Sequence, residues 1–237
     1  MAHVKYVSAA LGALACGVAL QANAGQTFIT PTGSSTGGQP VDASAVFTTG
    51  SGTVNITLNN LEANPTSVVQ ALSDLSFTLS NGATSGTLGT NTGMEITVNG
   101  DGTFSTGATV PTGWILNNGV SGGLQLNVLS SGGAGPTHLI IGGPGPGSLY
   151  SNANGSIAGN KPHNPFLNET ASFTVDVSSV TPTTTITGAT FSFGTTDGAN
   201  LVPGKTTGSV PEPASLGLLG LGLAGLVGLA RRRKPKV

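Results

Sequence analysis

Few residues of this 237-residue chain could carry out chemistry, and its histidines are the first to consider. His138 and His163 lie in a segment rich in Gly and Pro, and His3 lies near the N-terminus. A zinc site needs three or four converging ligands. No third ligand stands at a spacing typical of such a site. We therefore expect His138 and His163 to be solvated loop residues rather than metal ligands or catalytic bases.

Two further motifs give weak signals of chemistry. Residues 99–102 read "NGDG", and the single carboxylate of Asp101 favours a hairpin turn over a calcium loop. Pro144 and Pro146 remove backbone donors that a phosphate loop at residues 142–147 would need. No Gly-x-Ser-x-Gly elbow stands between a strand and a helix. A pair of catalytic carboxylates stays open, because the sequence does not give distances between side chains. We predict no enzymatic activity, no cofactor and no metal.

Two features favour a binding surface as an alternative. Thr183, Thr185 and Thr187 alternate along one predicted strand face, although a single row is small for a flat ligand and is more typical of an ordinary exposed strand. The aromatic residues expected in loops, where they could stack on a carbohydrate, are Trp114, Tyr150 and Phe166.

The charges are scarce and segregated, which excludes one class of function. Only 7% of the residues are charged. Between residues 25 and 209 the chain has two lysines, Lys161 and Lys205, against eight acids, a formal charge of −6. Nucleic-acid binding requires clustered cations that neutralise phosphates. This body has none, so we predict no nucleic-acid partner.

Short runs of alternating apolar and polar residues predict the fold of the body. Such a period of two is typical of half-buried strands, and Thr, Ser and Asn fill the polar positions. The runs lie at residues 54–58, 75–79, 94–98, 124–128, 173–177 and 191–193. With turn signals between them, they predict an all-β fold, an antiparallel β-sandwich of the jelly-roll or immunoglobulin-like type, over residues 25–200. Residues 67–75 could form a helical turn, residues 130–164 a long surface insertion, and residues 201–209 a linker.

The N-terminus predicts export. A basic residue, Lys5, precedes an apolar run, and Ala22 and Ala24 occupy the two positions at which signal peptidase requires small side chains. We therefore predict a signal helix within residues 1–24, cleaved between Ala24 and Gly25. Cys16, the only cysteine, offers lipidation as an alternative, but the leucine before it is one place out of register for a lipoprotein signal.

The C-terminus predicts a membrane segment. Residues 214–230 form an apolar run, about 26 Å long as a helix, which is the short end of the range for a transmembrane helix. Four cations follow it directly, and they would stop transfer across the inner membrane and keep this end cytoplasmic: Arg231, Arg232, Arg233 and Lys234.

The residues before this segment, Pro211, Glu212 and Pro213, complete a pattern that anchoring alone does not explain. A Pro-Glu-Pro motif, a short Gly/Leu-rich segment and a terminal Arg cluster together resemble the PEP-CTERM sorting signal over residues 210–237. The same segment is sometimes labelled the C-terminal domain of ice-binding proteins, which describes the tail and not an activity. The resemblance implies a Gram-negative bacterium and processing near Pro-Glu-Pro by an exosortase, a membrane-embedded cysteine protease/transpeptidase. The final location would be the cell surface or the extracellular matrix.

We therefore predict an exported, non-enzymatic surface or matrix protein, associated with exopolysaccharide or biofilm. Its processing partners would be signal peptidase and an exosortase, and its stay in the inner membrane would be transient. Two alternatives remain: a carbohydrate- or surface-binding, adhesin-like module, and a secreted hydrolase.

Overall fold

The fold follows from the alternating pattern of the body. The structure, a computed structural model, describes residues 25–158 and 163–207. The predicted signal peptide before Gly25 and the predicted sorting segment after residue 209, with their two helices, lie outside the described residues. Within residues 25–158 and 163–207, no helix is long and apolar enough to cross a membrane.

Strands make up about half of the chain, which confirms the predicted all-β class. They are, in chain order, β1 (Gln26–Ile29), β2 (Ser35–Thr36), β3 (Gln39–Pro40), β4 (Ala43–Thr49), β5 (Thr53–Asn60), β6 (Leu72–Leu79), β7 (Thr87–Val98), β8 (Phe104–Pro111), β9 (Ile115–Val120), β10 (Gly123–Asn127), β11 (Ile140–Ile141), β12 (Phe166–Asp176), β13 (Ile186–Phe193), β14 (Leu201–Pro203) and β15 (Lys205–Thr206). A 3-10 turn, Val68–Gln70, lies inside the segment predicted to form a helical turn.

Thirteen of these strands form one sheet, and β2 pairs separately with β3. The large sheet has two wings. The first wing has the order β8-β7-β12-β5-β4-β1-β15, and the second wing has the order β14-β13-β6-β10-β9. The short strand β11 joins the wings, because it pairs with β6 of the second wing and with β12 of the first.

The purely antiparallel prediction is wrong at one pair. Strand β11 runs parallel to β12, with Ile140 opposite Leu167 and Ile141 opposite Asn168, so the sheet is mixed. A parallel neighbour needs a crossover connection, and the long segment before β12 supplies one here.

The core lies between the two wings. Phe47 of the first wing and Phe77 of the second have ring centroids 5.4 Å apart, and Phe28 adds an edge-to-face contact with Phe47 at 5.8 Å. All three side chains are almost completely buried. Burial of a phenylalanine side chain stabilises a fold by about 1.5–3 kcal/mol. The outward positions carry mainly Ser, Thr and Asn, which explains how a body with so few charges has a polar surface.

The segment 130–164, predicted as a surface insertion, contributes to this core. Leu139, Ile140 and Ile141 are buried, and Tyr150 donates a hydrogen bond from its hydroxyl to the Gly142 carbonyl at 3.0 Å. The segment differs from the prediction because most of its apolar side chains are buried, with Leu149 as an exposed exception, while Gly and Pro shape the turns between them.

The predicted linker at residues 201–209 also differs from the structure. Strand β14 pairs with β13, and β15 pairs with β1, so the described part of this segment belongs to the sheet. Gly204 joins the two strands, and its N–H donates to the Ala189 carbonyl at 2.8 Å. Polar composition alone suggested a linker because two- and three-residue strands leave no periodic signal.

Candidate functional site

The two ends of the described body lie side by side at one edge of the first wing. Strand β15 pairs antiparallel with β1, with Thr206 opposite Phe28. Beyond the strand, the Thr207 N–H donates to the Thr27 carbonyl at 3.0 Å. The chain is therefore held to the sheet up to Thr207, immediately before the predicted sorting segment.

At the N-terminal end too, the sheet begins directly after the predicted processing point. Gly25, the predicted first residue after cleavage, directly precedes β1. The Gln26 side chain then ties β1 to the second wing, because its amide donates to the Ile186 carbonyl at 3.2 Å and its carbonyl oxygen accepts from the Ile186 N–H. No linker separates the predicted cleavage point from the folded body.

The other predicted processing residues lie outside the described residues. They are Ala22, Ala24, Pro211, Glu212, Pro213, Arg231, Arg232, Arg233 and Lys234. The number of residues between Thr207 and Pro211 still limits how far the motif can lie from the body. At about 3.3–3.6 Å per residue, Pro211 can lie at most about 14 Å from Thr207. Any enzyme acting at this motif therefore works next to the folded body.

A cleft of about 690 Å³ lies beside this edge. Hydroxyl side chains line much of it, among them Ser76, Thr78 and Thr190. Lys205 lies in its wall and is the only Lys or Arg within residues 25–158 and 163–207. Apolar parts of Phe28 and Ala189 complete the lining. The cleft combines hydrogen-bonding hydroxyls with one positive charge in a body that is otherwise acidic.

The three aromatic residues predicted as loop side chains do not form a binding platform. Trp114, Tyr150 and Phe166 are at most 3% exposed. The Trp114 ring packs at 5.3 Å from that of Phe173, and its indole N–H donates to the His138 carbonyl at 2.9 Å. The sequence missed this because an isolated aromatic residue in a polar segment gives no periodic signal of burial.

His138 is not a solvated loop residue. Its Nε2 lies 3.0 Å from Oε1 of Glu95, and its Nδ1 lies 2.9 Å from the Thr112 carbonyl. Both ring nitrogens therefore face a hydrogen-bonding oxygen atom. Neither nitrogen is then free to activate a serine or a water molecule.

His163 is buried, and it forms no hydrogen bond with His138 or Glu95. Its Nδ1 has no partner within the described part of the chain, and burial lowers the pKa of its ring, although a hydrogen bond to the Pro136 backbone opposes the shift. No three His, Cys, Asp or Glu side chains of the described residues converge as a metal site would require.

The "NGDG" stretch is the predicted hairpin turn, between β7 and β8, with Asp101 accepting from Thr103.

Comparison with known proteins adds one match. Residues 209–234 match the PEP-CTERM protein-sorting motif. No curated protein and no solved structure is significantly similar to the chain. The match confirms the resemblance found in the sequence, and it begins two residues after Thr207, the last residue described as bonded to the sheet.

This motif indicates a class of protein that is defined by how it is exported and processed. It implies export across the membrane to the cell surface and processing by an exosortase, a membrane processing enzyme. The chain therefore combines an all-β body with a C-terminal sorting signal.

Proposed function

We propose that this chain is a non-enzymatic protein of the surface or extracellular matrix of a Gram-negative bacterium. Signal peptidase releases it after Ala24, and an exosortase processes it near Pro211–Glu212–Pro213. The observation that carries the proposal is the sorting motif at residues 209–234, which directly follows the last strand of the body. In this arrangement the body stays folded and the processing site follows it without an intervening domain.

The mature protein from its native host should begin at Gly25 and lack the basic end from Arg231 to Lys234. Mass spectrometry of the intact protein from the surface fraction measures both ends. We expect a single N-terminus and a C-terminus close to Pro213, because the apolar segment and its cations stay in the membrane. An intact C-terminus at Val237 in the surface fraction contradicts the proposal. A start at Cys16 with added lipid mass would instead support lipidation.

The body in this proposal is a β-sandwich. The support is the packing of the first wing on the second through Phe47 and Phe77, with polar side chains on the outward positions. The absence of activity is supported by His138, whose two ring nitrogens both face acceptors. The hydrolase alternative lacks a free base at this position.

The cleft beside Lys205 favours a second function, the binding of acidic polysaccharide. The hydroxyl groups of a sugar would form hydrogen bonds with side chains such as Ser76, Thr78 and Thr190. A carboxylate of the polymer would form an ion pair with the Lys205 ammonium group. A single exposed ion pair contributes about 0–1 kcal/mol. Strong binding therefore requires that many copies of the protein contact the same polysaccharide chain. This function places the protein in the exopolysaccharide.

Lys205→Ala should weaken the apparent affinity of the protein for polygalacturonate in affinity electrophoresis by up to about fivefold, the effect of losing about 1 kcal/mol. Lys205→Arg keeps the charge and should restore it. Dextran, which is neutral, should retard none of the three proteins, because the ammonium group has no partner there. Equal retardation of Lys205→Ala and the unchanged protein in polygalacturonate would exclude this cleft as the site.

A further inference from the structure

A buried carboxylate in the second wing has no compensating partner. Asp74 of β6 is 0% exposed, and neither of its oxygens accepts a hydrogen bond in the described part of the chain. Its neighbour Ser73 also has a buried hydroxyl without a partner. Buried polar groups are nearly always satisfied, and one that is not calls for a specific explanation such as a bound ion. The only salt bridge among the described residues is that of His138, so no cationic side chain neutralises Asp74.

A loop holds a second acid close to Asp74. In the strand register, Ser192 of β13 and Asn127 of β10 flank Asp74 on its two sides. The Ser192 hydroxyl donates to the carbonyl of Ala199, and the Asn127 amide donates to Oδ1 of Asp197 at 2.6 Å. The loop of residues 194–200 is thus hydrogen-bonded to both strand neighbours of Asp74.

Two hydroxyl donors nearby are used by other acceptors. Ser192 donates to the loop, and Ser130 donates to Oδ2 of Asp197 at 3.2 Å. Gln125 accepts at its Oε1 from Asn117 at 3.1 Å, and its side chain lies near Asp74. The surroundings of Asp74 are therefore rich in oxygen atoms. Oxygen-rich surroundings with carboxylates suit a hard divalent cation.

We propose that Asp74 and Asp197 bind one Ca²⁺ ion between β6 and the loop 194–200. Hydroxyl, amide and carbonyl oxygens around them complete the coordination. The carboxylates of Asp74 and Asp197 together supply two negative charges, so the site is of the weak type found in extracellular modules, with a Kd of roughly 0.1–1 mM. Bound Ca²⁺ ties the loop before β14 to the sheet, close to the strands that lead into the sorting motif.

The pKa of Asp74 is consistent with such a site. Burial raises the pKa most, the nearby side chains of Ser192 and Gln125 oppose the rise, and the negative charge of Asp197 adds to it, so that the pKa reaches about 6. The carboxylate is therefore mainly ionised at neutral pH, and a cation would stabilise that form.

Thermal unfolding of the full chain in detergent, near pH 7.5, tests the proposal. After treatment with EGTA, addition of about 10 mM CaCl₂ should raise the Tm by about 3–5 °C. The same concentration of MgCl₂ should raise it less, because Mg²⁺ demands a stricter geometry. Calorimetric titration with CaCl₂ should give one site per chain.

Asp74→Asn should remove the calcium-induced shift without lowering the Tm in EGTA, because it removes a buried charge and keeps the shape of the side chain. Asp197→Asn, on the exposed loop, should remove most of the shift. Asp176→Asn, which removes an exposed acid of β12, is the matched control and should keep it.

A calcium-induced shift that persists in both Asp74→Asn and Asp197→Asn overturns the proposal, as does the absence of any shift or titration heat in the unchanged protein.

The dependence of the Tm on pH distinguishes the calcium site from a buried Asp74 that is simply protonated. The folded pKa of about 6 lies above that of an unfolded Asp, about 3.9, so stability would then be present below pH 3.9 and be lost as the pH rises through 6. Such a loss, absent in Asp74→Asn and indifferent to Ca²⁺, would also overturn the calcium site.

Discussion

Replacement of Pro211, Glu212 and Pro213 together with alanine should lower the processed, surface-located fraction of the protein at least about tenfold, a factor that a loss of only about 1.4 kcal/mol of recognition already produces. The unprocessed chain should accumulate in the inner membrane with its C-terminal cations intact. The physical reason lies in the backbone. Each proline fixes φ near −65° and disfavours a helical conformation in the residue before it. Alanine would allow the predicted apolar helix to continue upstream and hide the stretch that an exosortase would bind.

Fractionation followed by immunoblotting against the body measures this change, because the two forms differ in mass. Arg231→Lys, Arg232→Lys and Arg233→Lys together form the control, which keeps the positive charges and should be processed normally. Equal release of the alanine variant and the unchanged protein would show that Pro-Glu-Pro is not read. The body should fold in either case, since the sheet is complete at Thr207.

Trp114→Ala should destabilise the body by about 3–5 kcal/mol, the usual cost of truncating a large buried aromatic side chain. Trp114 is 3% exposed, so its removal leaves a cavity beside Phe173 and an unpaired carbonyl at His138. A marginally stable domain has only about 5–15 kcal/mol in total, so this variant will be partly unfolded near physiological temperature.

Urea unfolding followed by circular dichroism gives the loss of stability. Leu61→Ala, at a side chain that is 51% exposed, is the control and should cost less than about 1 kcal/mol. Trp114→Phe should recover part of the loss, because it restores the ring contact but not the indole donor. Unchanged stability in Trp114→Ala would mean that the side chain is not in the core. A loss of carbohydrate binding in this variant would report unfolding rather than a binding residue.

Much of the fold could be predicted from short runs of residues. The alternation at residues 54–58, 75–79 and 94–98 predicted strands, and these runs lie in β5, β6 and β7. The period of two has a local cause, because successive side chains of a strand point to opposite faces. The sorting motif is likewise a local signal, because it is contiguous in the chain and matches over residues 209–234.

Interactions between distant parts of the chain could not be predicted in this way. The parallel pairing of β11 with β12 and the burial of Trp114 depend on which surfaces meet after the chain has crossed between wings. The pairing of His138 with Glu95 joins residues 43 positions apart, and neither residue stands out in the sequence.

The sequence by itself determined where this protein goes and the class of its fold, because a sorting motif and an alternating pattern are properties of neighbouring residues. Only the tertiary structure decided which polar residues lie inside the body and what they face. It placed Asp197 of a distant loop beside Asn127, which in turn lies opposite Asp74. Burial and the absence of a partner are properties of the packed chain, and they arise only when the second wing and its loop have come together.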